Sequence, residues 1–84
     1  MTMESIGDVT DRIEKKIESI RDSYIGCAID DNTLRDYRNV VENTLRTAVP
    51  PHLSYTFECS WVPYYRYGEV LGYSLGTSFS LTEG

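Results

Sequence analysis

The sequence predicts an α+β fold in which two antiparallel amphipathic helices precede a long β-hairpin. Three observations carry this prediction. Apolar residues recur every three or four positions in the first half, they alternate in the second half, and two consecutive prolines separate the halves. The 84 residues make one small domain, with a helical half at 1–49 and a hairpin half at 50–84. A chain this short buries a modest fraction of its surface and is marginally stable alone.

The first helix is indicated by one apolar stripe at helical spacing. Gly7 weakens the first turn, so we expect the helix to begin near Asp8 or to fray there. Gly26 stands where the glycine that ends a helix commonly stands, which predicts a helix that ends just before it. The members of the stripe lie three or four positions apart: Ile6, Val9, Ile13, Ile17, Ile20 and Tyr24.

The second helix is predicted at about residues 31–48. Asp30 or Asp31 supplies the N-cap, because a short acidic side chain accepts hydrogen bonds from the free N–H groups of the first turn. Pro50 and Pro51 stop the helix, since the residue before a proline is pushed out of the helical region. The apolar stripe of this helix has the same spacing: Leu34, Tyr37, Val41, Leu45 and Ala48.

Two strands follow, because the period of the apolar residues falls to two. Apolar and polar residues alternate over residues 53–61 and again over residues 71–81. In the second of these strands, the face opposite the apolar one is made almost entirely of Gly and Ser. Between them, residues 63–68 (PYYRYG) supply the turn. The tip of the predicted hairpin is therefore rich in tyrosine.

A sheet of two strands is unfinished, because both strands are edges with unpaired backbone N–H and C=O groups. The second strand has no charged residue from residue 70 to residue 82 to discourage pairing with another chain. We therefore expect another subunit to complete the sheet, either a second copy or a neighbouring protein. The alternative is a compact monomer whose hairpin wraps onto the helix pair.

The charge of the chain argues against several classes of partner. The net charge is −5, and Arg66 is the single Lys or Arg after residue 52. Lys and Arg supply the affinity for phosphate backbones and anionic membranes, so we expect neither direct nucleic-acid binding nor membrane binding. No segment has the order of a signal peptide or the length of a membrane span, which predicts a soluble protein that is not secreted by a signal peptide.

The sequence contains no recognisable set of residues for catalysis, metal binding or a cofactor. His52 is the sole histidine and directly follows two prolines, so we expect a loop residue rather than a general base. Cys27 and Cys59 match no zinc spacing, and we expect buried, free thiols; a disulfide, or a reactive Cys27 near a helix start, is the less favoured alternative. Asp30 and Asp31 lack the ligand pattern of a calcium loop and are better explained by helix capping. We therefore expect no enzymatic activity and no cofactor.

Two surfaces are candidates for binding a protein. The first is the aromatic tip of the hairpin, because Trp, Tyr and Arg are enriched among residues that dominate interface energies; some of these side chains could instead cover the end of the core. The second is an acidic face of the first helix, which either imitates a phosphate backbone or is simply solvated. The candidates are Trp61, Tyr64, Tyr65, Arg66 and Tyr67 at the tip, and Asp11, Glu14, Glu18 and Asp22 on the acidic face.

At SYIGCAIDDNTLRDYRNVVENTLRTAV, followed by two alternating strands, the sequence resembles the C-terminal portion of contractile-tail sheath proteins and related small bacteriophage tail proteins. The likeness covers roughly residues 24–81. It implies a helix before two strands that are exchanged with neighbouring subunits, and a role in assembly rather than catalysis. The chain lacks the large domains of a sheath subunit, so it would be a small accessory or standalone relative. The matching positions are Ile29, Asp30, Thr33, Arg35, Val41 and Leu45.

Together these observations predict a non-enzymatic structural or assembly protein, an oligomer held together by strand and aromatic contacts. The resemblance implies a tail or capsid-associated component of a virion, present in the host cytoplasm before assembly. The alternative is a small acidic inhibitor or adaptor of phage type, comparable to anti-defence or anti-CRISPR proteins, which would bind a host protein complex.

Overall fold

Two helices followed by a two-stranded antiparallel sheet make up this protein, and the predicted α+β fold is confirmed. The computed structural model describes residues 4–84; residues 1–3, which the predicted helical half included, lie outside this range. The elements are α1 (Ile6–Asp22), α2 (Asp31–Ala48), β1 (Leu53–Arg66) and β2 (Glu69–Glu83). Within the described residues, the sheet is open at both edges.

Both helices begin at a side-chain cap. The hydroxyl of Ser5 accepts a hydrogen bond from the Asp8 N–H at 3.2 Å, and the carboxylate of Asp30 accepts one from the Thr33 N–H at 2.8 Å. The bond from Thr33 also lowers the pKa of Asp30. The Ser5 cap explains why α1 begins at Ile6, earlier than the glycine penalty alone predicts, because it satisfies a free donor of the first turn.

The end of α1 differs from its predicted position. The helix stops at Asp22 with Ser23 as its C-cap, and a turn follows before α2. Gly26 lies in that turn with a φ of 88°, a left-handed conformation that costs glycine little. The glycine therefore reverses the chain between the helices, as its chemistry suggests, but it does not itself end the helix.

The two helices run antiparallel, as predicted. Arg12 in α1 donates to the carbonyl of Ala48 at the end of α2, with a distance of 3.4 Å. At the other end, the hydroxyl of Tyr24 donates to a carboxylate oxygen of Asp36 near the start of α2, at 2.5 Å. The Tyr24 ring also packs edge-on against Tyr37, with 5.4 Å between ring centroids.

The core lies between the helix pair and the face of the hairpin that carries the odd-numbered residues. α1 packs on β2 and α2 packs on β1. Tyr37 is the largest fully buried side chain, and its hydroxyl lies 2.5 Å from that of Thr77 on β2. Burial raises the pKa of Tyr37. The buried residues are Val9, Ile13, Ile17, Tyr37, Val41, Leu45, Leu53, Cys59, Leu75 and Leu81.

The hairpin is much longer than the helices that cover it. Strands of 14 and 15 residues span roughly 46–50 Å at about 3.3 Å per residue. Helices of 17 and 18 residues span only about 26 Å at 1.5 Å per residue. The molecule is accordingly 50 Å long in its longest dimension. One end of the hairpin therefore extends about 20 Å past the helices.

The turn of the hairpin is shorter than predicted. Only Tyr67 and Gly68 separate the strands, with φ angles of 52° and 79°, and two positive φ angles are typical of a type I′ turn. Pro63 lies within β1 instead of starting the turn, which a two-stranded sheet tolerates because both strands are edges. Tyr64 pairs with Gly72, but Tyr65 pairs with Val70. Leu71 therefore has no partner on β1 and forms a bulge in β2.

Candidate protein-contact surface

The end of the molecule that carries the hairpin turn combines the uncovered part of the hairpin with the loop between the helices. We call it the distal end and define it as residues 24–29 and 61–74. Eleven large apolar side chains are exposed in residues 4–84, and nine of them lie at the distal end; the exceptions are Ile6 and Val40. The nine are Ile25, Ile29, Val62, Tyr64, Tyr65, Tyr67, Val70, Leu71 and Tyr73.

This concentration is notable because large exposed apolar areas on soluble proteins commonly mark sites of protein contact. The patch also carries little net charge. Arg66 and Glu69 are cross-strand partners beside the turn, and the loop segment of residues 24–29 contains no charged residue. The distal end is therefore an apolar and aromatic surface whose two charges, Arg66 and Glu69, cancel.

The predicted tip residues do meet at the distal end, although their exposure differs. Tyr64 and Tyr65 are more than half exposed, and Tyr67 is 93% exposed at the turn itself. The guanidinium carbon of Arg66 lies 5.5 Å from the centroid of the Tyr67 ring, close enough for a cation–π interaction. Trp61 differs from the other four, because it is half-buried and packs against the core.

Trp61 forms part of a groove between the loop and the hairpin. The groove has a volume of about 350 Å³, and its apolar walls include Ile25, Ile29 and Tyr73. The indole Nε1 of Trp61 is buried without a hydrogen-bond partner in the structure. A buried donor without a partner lowers the free energy of unfolding. Trp61 therefore connects the core with the distal surface but leaves one polar group unsatisfied.

Backbone geometry at the distal end depends on a close approach between Tyr64 and Gly72. A Cβ atom added at Gly72 would lie 2.5 Å from the hydroxyl oxygen of Tyr64 and 2.8 Å from its ring. The glycine therefore lets the Tyr64 ring lie flat across the neighbouring strand. This contact positions one of the exposed aromatic rings of the patch.

Several residues of this surface were missed in the sequence. Ile25 and Ile29 belong to the loop between the helices, and Val70 and Leu71 follow the turn. Two signals in the sequence were available. The first is an apolar loop segment, IGCAI, outside both helix stripes, and the second is a pair of adjacent apolar residues that interrupts the alternation of the strand. Neither signal says that these residues lie at the same end of the molecule.

The four candidate acidic residues lie on one exposed side of α1. Asp11, Glu14, Glu18 and Asp22 are spaced three or four positions apart, which places them in one stripe along the helix. Arg12 lies on a different side of α1, where it contacts α2 and forms an ion pair with Glu4 at 2.7 Å. The hydrogen bond from Arg12 lowers the pKa of Glu4. The acidic stripe and the aromatic tip are therefore separate surfaces.

The two cysteines differ, although both were expected to be buried. Cys59 is buried in the core, and burial raises the pKa of its thiol. Its sulfur lies 3.6 Å from the hydroxyl oxygen of Thr77. Cys27 is exposed, so the expectation of burial is wrong for it: its apolar neighbours belong to the loop, which the core does not reach. Both are free thiols.

His52 lies in the turn before β1, as predicted, and its Nε2 atom is 3.4 Å from the backbone carbonyl of Glu4. Among residues 4–84, no group of three or more His, Cys, Asp or Glu side chains is placed to hold a metal ion. Over the same residues, neither helix has the length and apolar character needed to cross a membrane. Comparisons with protein-family models, curated proteins and solved structures found no match to this chain.

Proposed function

We propose that this chain is a non-enzymatic assembly protein that binds other protein subunits through the distal end of its hairpin and through its open sheet. The observation that carries the proposal is the position of the exposed apolar residues, nine of eleven at one end. Removing such a patch from water is favourable by about 25 cal/mol per Å² of apolar surface, which gives the distal end a strong tendency to associate.

The composition of the patch favours a protein as the partner. Tyr and Arg are frequent in the residues that dominate protein interfaces, since they combine a large apolar surface with polar groups. A nucleic-acid site would need a row of cations along the strand, and the hairpin provides Arg66 alone, with Glu69 opposite it. The distal end therefore fits an apolar protein surface better than a phosphate backbone.

The open sheet supports the same role. Strands of 14 and 15 residues leave two long rows of backbone groups at the sheet edges, and a strand from another subunit would satisfy one of these rows. The sequence resemblance to bacteriophage tail proteins over residues 24–81 agrees with an assembly role and implies a virion as its setting. In that setting the chain would be a small tail or capsid-associated component.

A second candidate function is favoured by the acidic stripe on α1. A soluble inhibitor or adaptor would present Asp11, Glu14, Glu18 and Asp22 to a basic surface of a host complex. All four are exposed, but their stripe is bounded by Lys15 and Arg21. An exposed, solvated helix face is the ordinary state of such residues, so this function ranks below assembly.

Light scattering across protein and salt concentrations tests the assembly proposal. We expect the mean mass to rise with protein concentration and to persist at high salt, because apolar contacts are not screened. The double variant Tyr65→Ala with Arg66→Ala should remain monomeric, while its free energy of unfolding changes by less than about 0.5 kcal/mol.

The matched control is Asn43→Ala with Arg46→Ala, which removes exposed side chains near the C-terminal end of α2, away from the loop of residues 24–29, and should assemble like the unmodified protein. A chain that stays monomeric at every concentration would contradict the proposal of self-assembly. Loss of stability in the tip variant, with assembly unchanged, would instead assign those side chains to the core.

A further inference from the structure

The two edges of the sheet differ in how well they are protected. At β1, Arg38 of α2 donates to the backbone carbonyl of Cys59 at 3.4 Å, Glu58 adds a charge, and Pro63 has no N–H group. β2 has neither a charged residue nor a proline over residues 70–82. Charged residues and prolines keep edge strands from pairing with other chains, so β2 is the unprotected edge.

A groove of about 420 Å³ lies along this unprotected edge. One wall is α1, which contributes Glu14, Ile17, Glu18 and Arg21, and the other is β2 at residues 77–79. Neither α2 nor β1 lines the groove, so it opens on the outer side of β2. This is the side of α1 opposite to the one that faces α2.

The dimensions of helices and strands explain why the groove exists. Packed helices lie about 8–10 Å apart, whereas paired strands lie about 4.8 Å apart. Two helices therefore cover the width of about four strands, and here they cover two. α1 consequently overhangs the edge of β2 by about the width of one strand, which leaves room for a third strand beneath it.

The same dimensions exclude antiparallel pairing between β2 and the β2 strand of a second copy along the groove, because that arrangement puts both helix layers on one face of the sheet. Such pairing would place the two hairpins about 10 Å apart, while each copy carries a helix layer about 20 Å wide on the same face. The two α1 helices would then occupy the same space. The strand that enters the groove must therefore have no helix of its own above it.

The charge of the groove indicates the chemistry of that strand. Every second side chain of an added strand would point towards α1, where it would meet Glu14 and Glu18 on either side of Ile17, with Arg21 farther along. The acidic stripe continues beyond the groove at Asp11 and Asp22. Lys or Arg side chains on the helix-facing side would pair with Glu14 and Glu18, while the backbone satisfies the open edge.

We propose that the β2 edge beneath α1 binds an extended segment of another protein, which adds as a third strand and turns basic side chains towards Glu14 and Glu18. The inference rests on the proposed assembly function, because it names the chemistry of one partner in that assembly. The described hairpin carries a single base, Arg66, so this chain is poorly suited to fill its own groove.

A synthetic peptide of alternating Lys and Val, with a fluorescent label, tests the site by anisotropy. We expect binding, with the largest amide chemical-shift changes at residues 77–79. A peptide with Glu in place of Lys should not bind. N-methylation of alternate backbone nitrogens should weaken binding at least about tenfold, because a methylated nitrogen cannot donate to a strand edge.

The double variant Glu14→Lys with Glu18→Lys should bind the Lys–Val peptide at least about tenfold more weakly, since both carboxylates of the groove are reversed. Asp11→Lys with Asp22→Lys is the matched control. It changes the net charge by the same amount on the same helix but outside the groove, so it should weaken binding by less than about threefold.

Several outcomes would overturn the site: no binding of the Lys–Val peptide, shifts centred on β1, equal loss in both double variants, or no effect of N-methylation. The light-scattering result remains independent of these. Assembly of the unmodified protein without peptide binding would remove the groove and leave the assembly function standing. Peptide binding by a chain that never self-associates would keep the groove and contradict the assembly function.

Discussion

The same two strands form the wall of a core at one end and an exposed surface at the other. Leu75 and Tyr73 lie two residues apart on the same face of β2, yet Leu75 is 5% exposed and Tyr73 is 47% exposed. Both belong to the same alternating apolar strand. The difference arises because Leu75 belongs to the core beneath the helices, whereas Tyr73 lies beside the loop that joins them. Coverage by the helices, rather than hydrophobicity, therefore decides which strand residues stabilise the fold and which remain available for contacts.

The largest expected effect belongs to the covered end. Tyr37→Ala should reduce the free energy of unfolding by about 3–5 kcal/mol, because it empties a fully buried aromatic site and removes the hydrogen bond to Thr77. Urea denaturation followed by circular dichroism measures this. A domain of this size is only marginally stable, so the variant should be largely unfolded at room temperature.

The matched substitution at the distal end is Tyr65→Ala, which should change the free energy of unfolding by less than about 0.5 kcal/mol. If Tyr37→Ala and Tyr65→Ala lowered the free energy of unfolding by the same amount, the contrast between the covered and distal ends would be wrong.

A smaller effect is expected on the bare face of the sheet, which is the face that points away from the helices. A Cβ atom at Gly76 would lie 2.5 Å from a methyl carbon of Val62, whose branched side chain has few alternative rotamers. Gly76→Ala should therefore cost about 1–3 kcal/mol by overpacking. The double variant with Val62→Ala should recover most of this loss, as a double-mutant cycle of urea denaturation curves would measure.

A neutral Gly76→Ala variant would show that Val62 moves aside freely and that the bare face is not closely packed. The bare face could then accommodate side chains of a partner protein more readily than its close Gly76–Val62 contact indicates.

A smaller effect than that at Gly76 is expected where the two ends meet, at Tyr24. Its hydrogen bond to Asp36, with a smaller contribution from burial, raises the pKa of Tyr24 to about 12 from an ordinary value of 10.0. A raised pKa means that the folded state favours the neutral phenol. The contribution to stability is therefore fully present below pH 10 and is lost as the pH rises towards 12.

Tyr24→Phe should cost about 0.5–1 kcal/mol below pH 10, a modest value because solvent screens the bond. The difference in melting temperature between the unmodified protein and the variant should shrink as the pH rises from 10 to 12. A difference that stays constant over this interval would show that the Tyr24–Asp36 bond does not stabilise the fold.

Local signals in the sequence predicted α2 almost to the residue. Asp30 caps one end and Pro50 closes the other, and both act through the backbone within a few positions. The hairpin turn was less predictable. Pro63 and Gly68 both suggest a turn, but Pro63 is compatible with an edge strand, and only the strand register shows which of them reverses the chain.

The candidate surface was predictable only in part. The tyrosines of the tip follow from the position of the turn, and three of them are exposed as expected for contact residues. Ile25 and Ile29 could not be assigned to the same surface, because they are more than 30 residues from the tip in sequence. The exposed Cys27 and the buried Cys59 show the same limit, since both have apolar neighbours along the chain.

By itself, the sequence determined the order of the elements, the limits of α2, the two faces of each strand and the position of the charges. These features depend on periodicity and on interactions within a few residues. Only the tertiary structure decided which apolar residues are buried and which of the two open sheet edges lies beneath α1. The physical reason is dimensional: helices of about 26 Å cannot cover strands of about 46 Å, and a pair of helices is wider than a pair of strands.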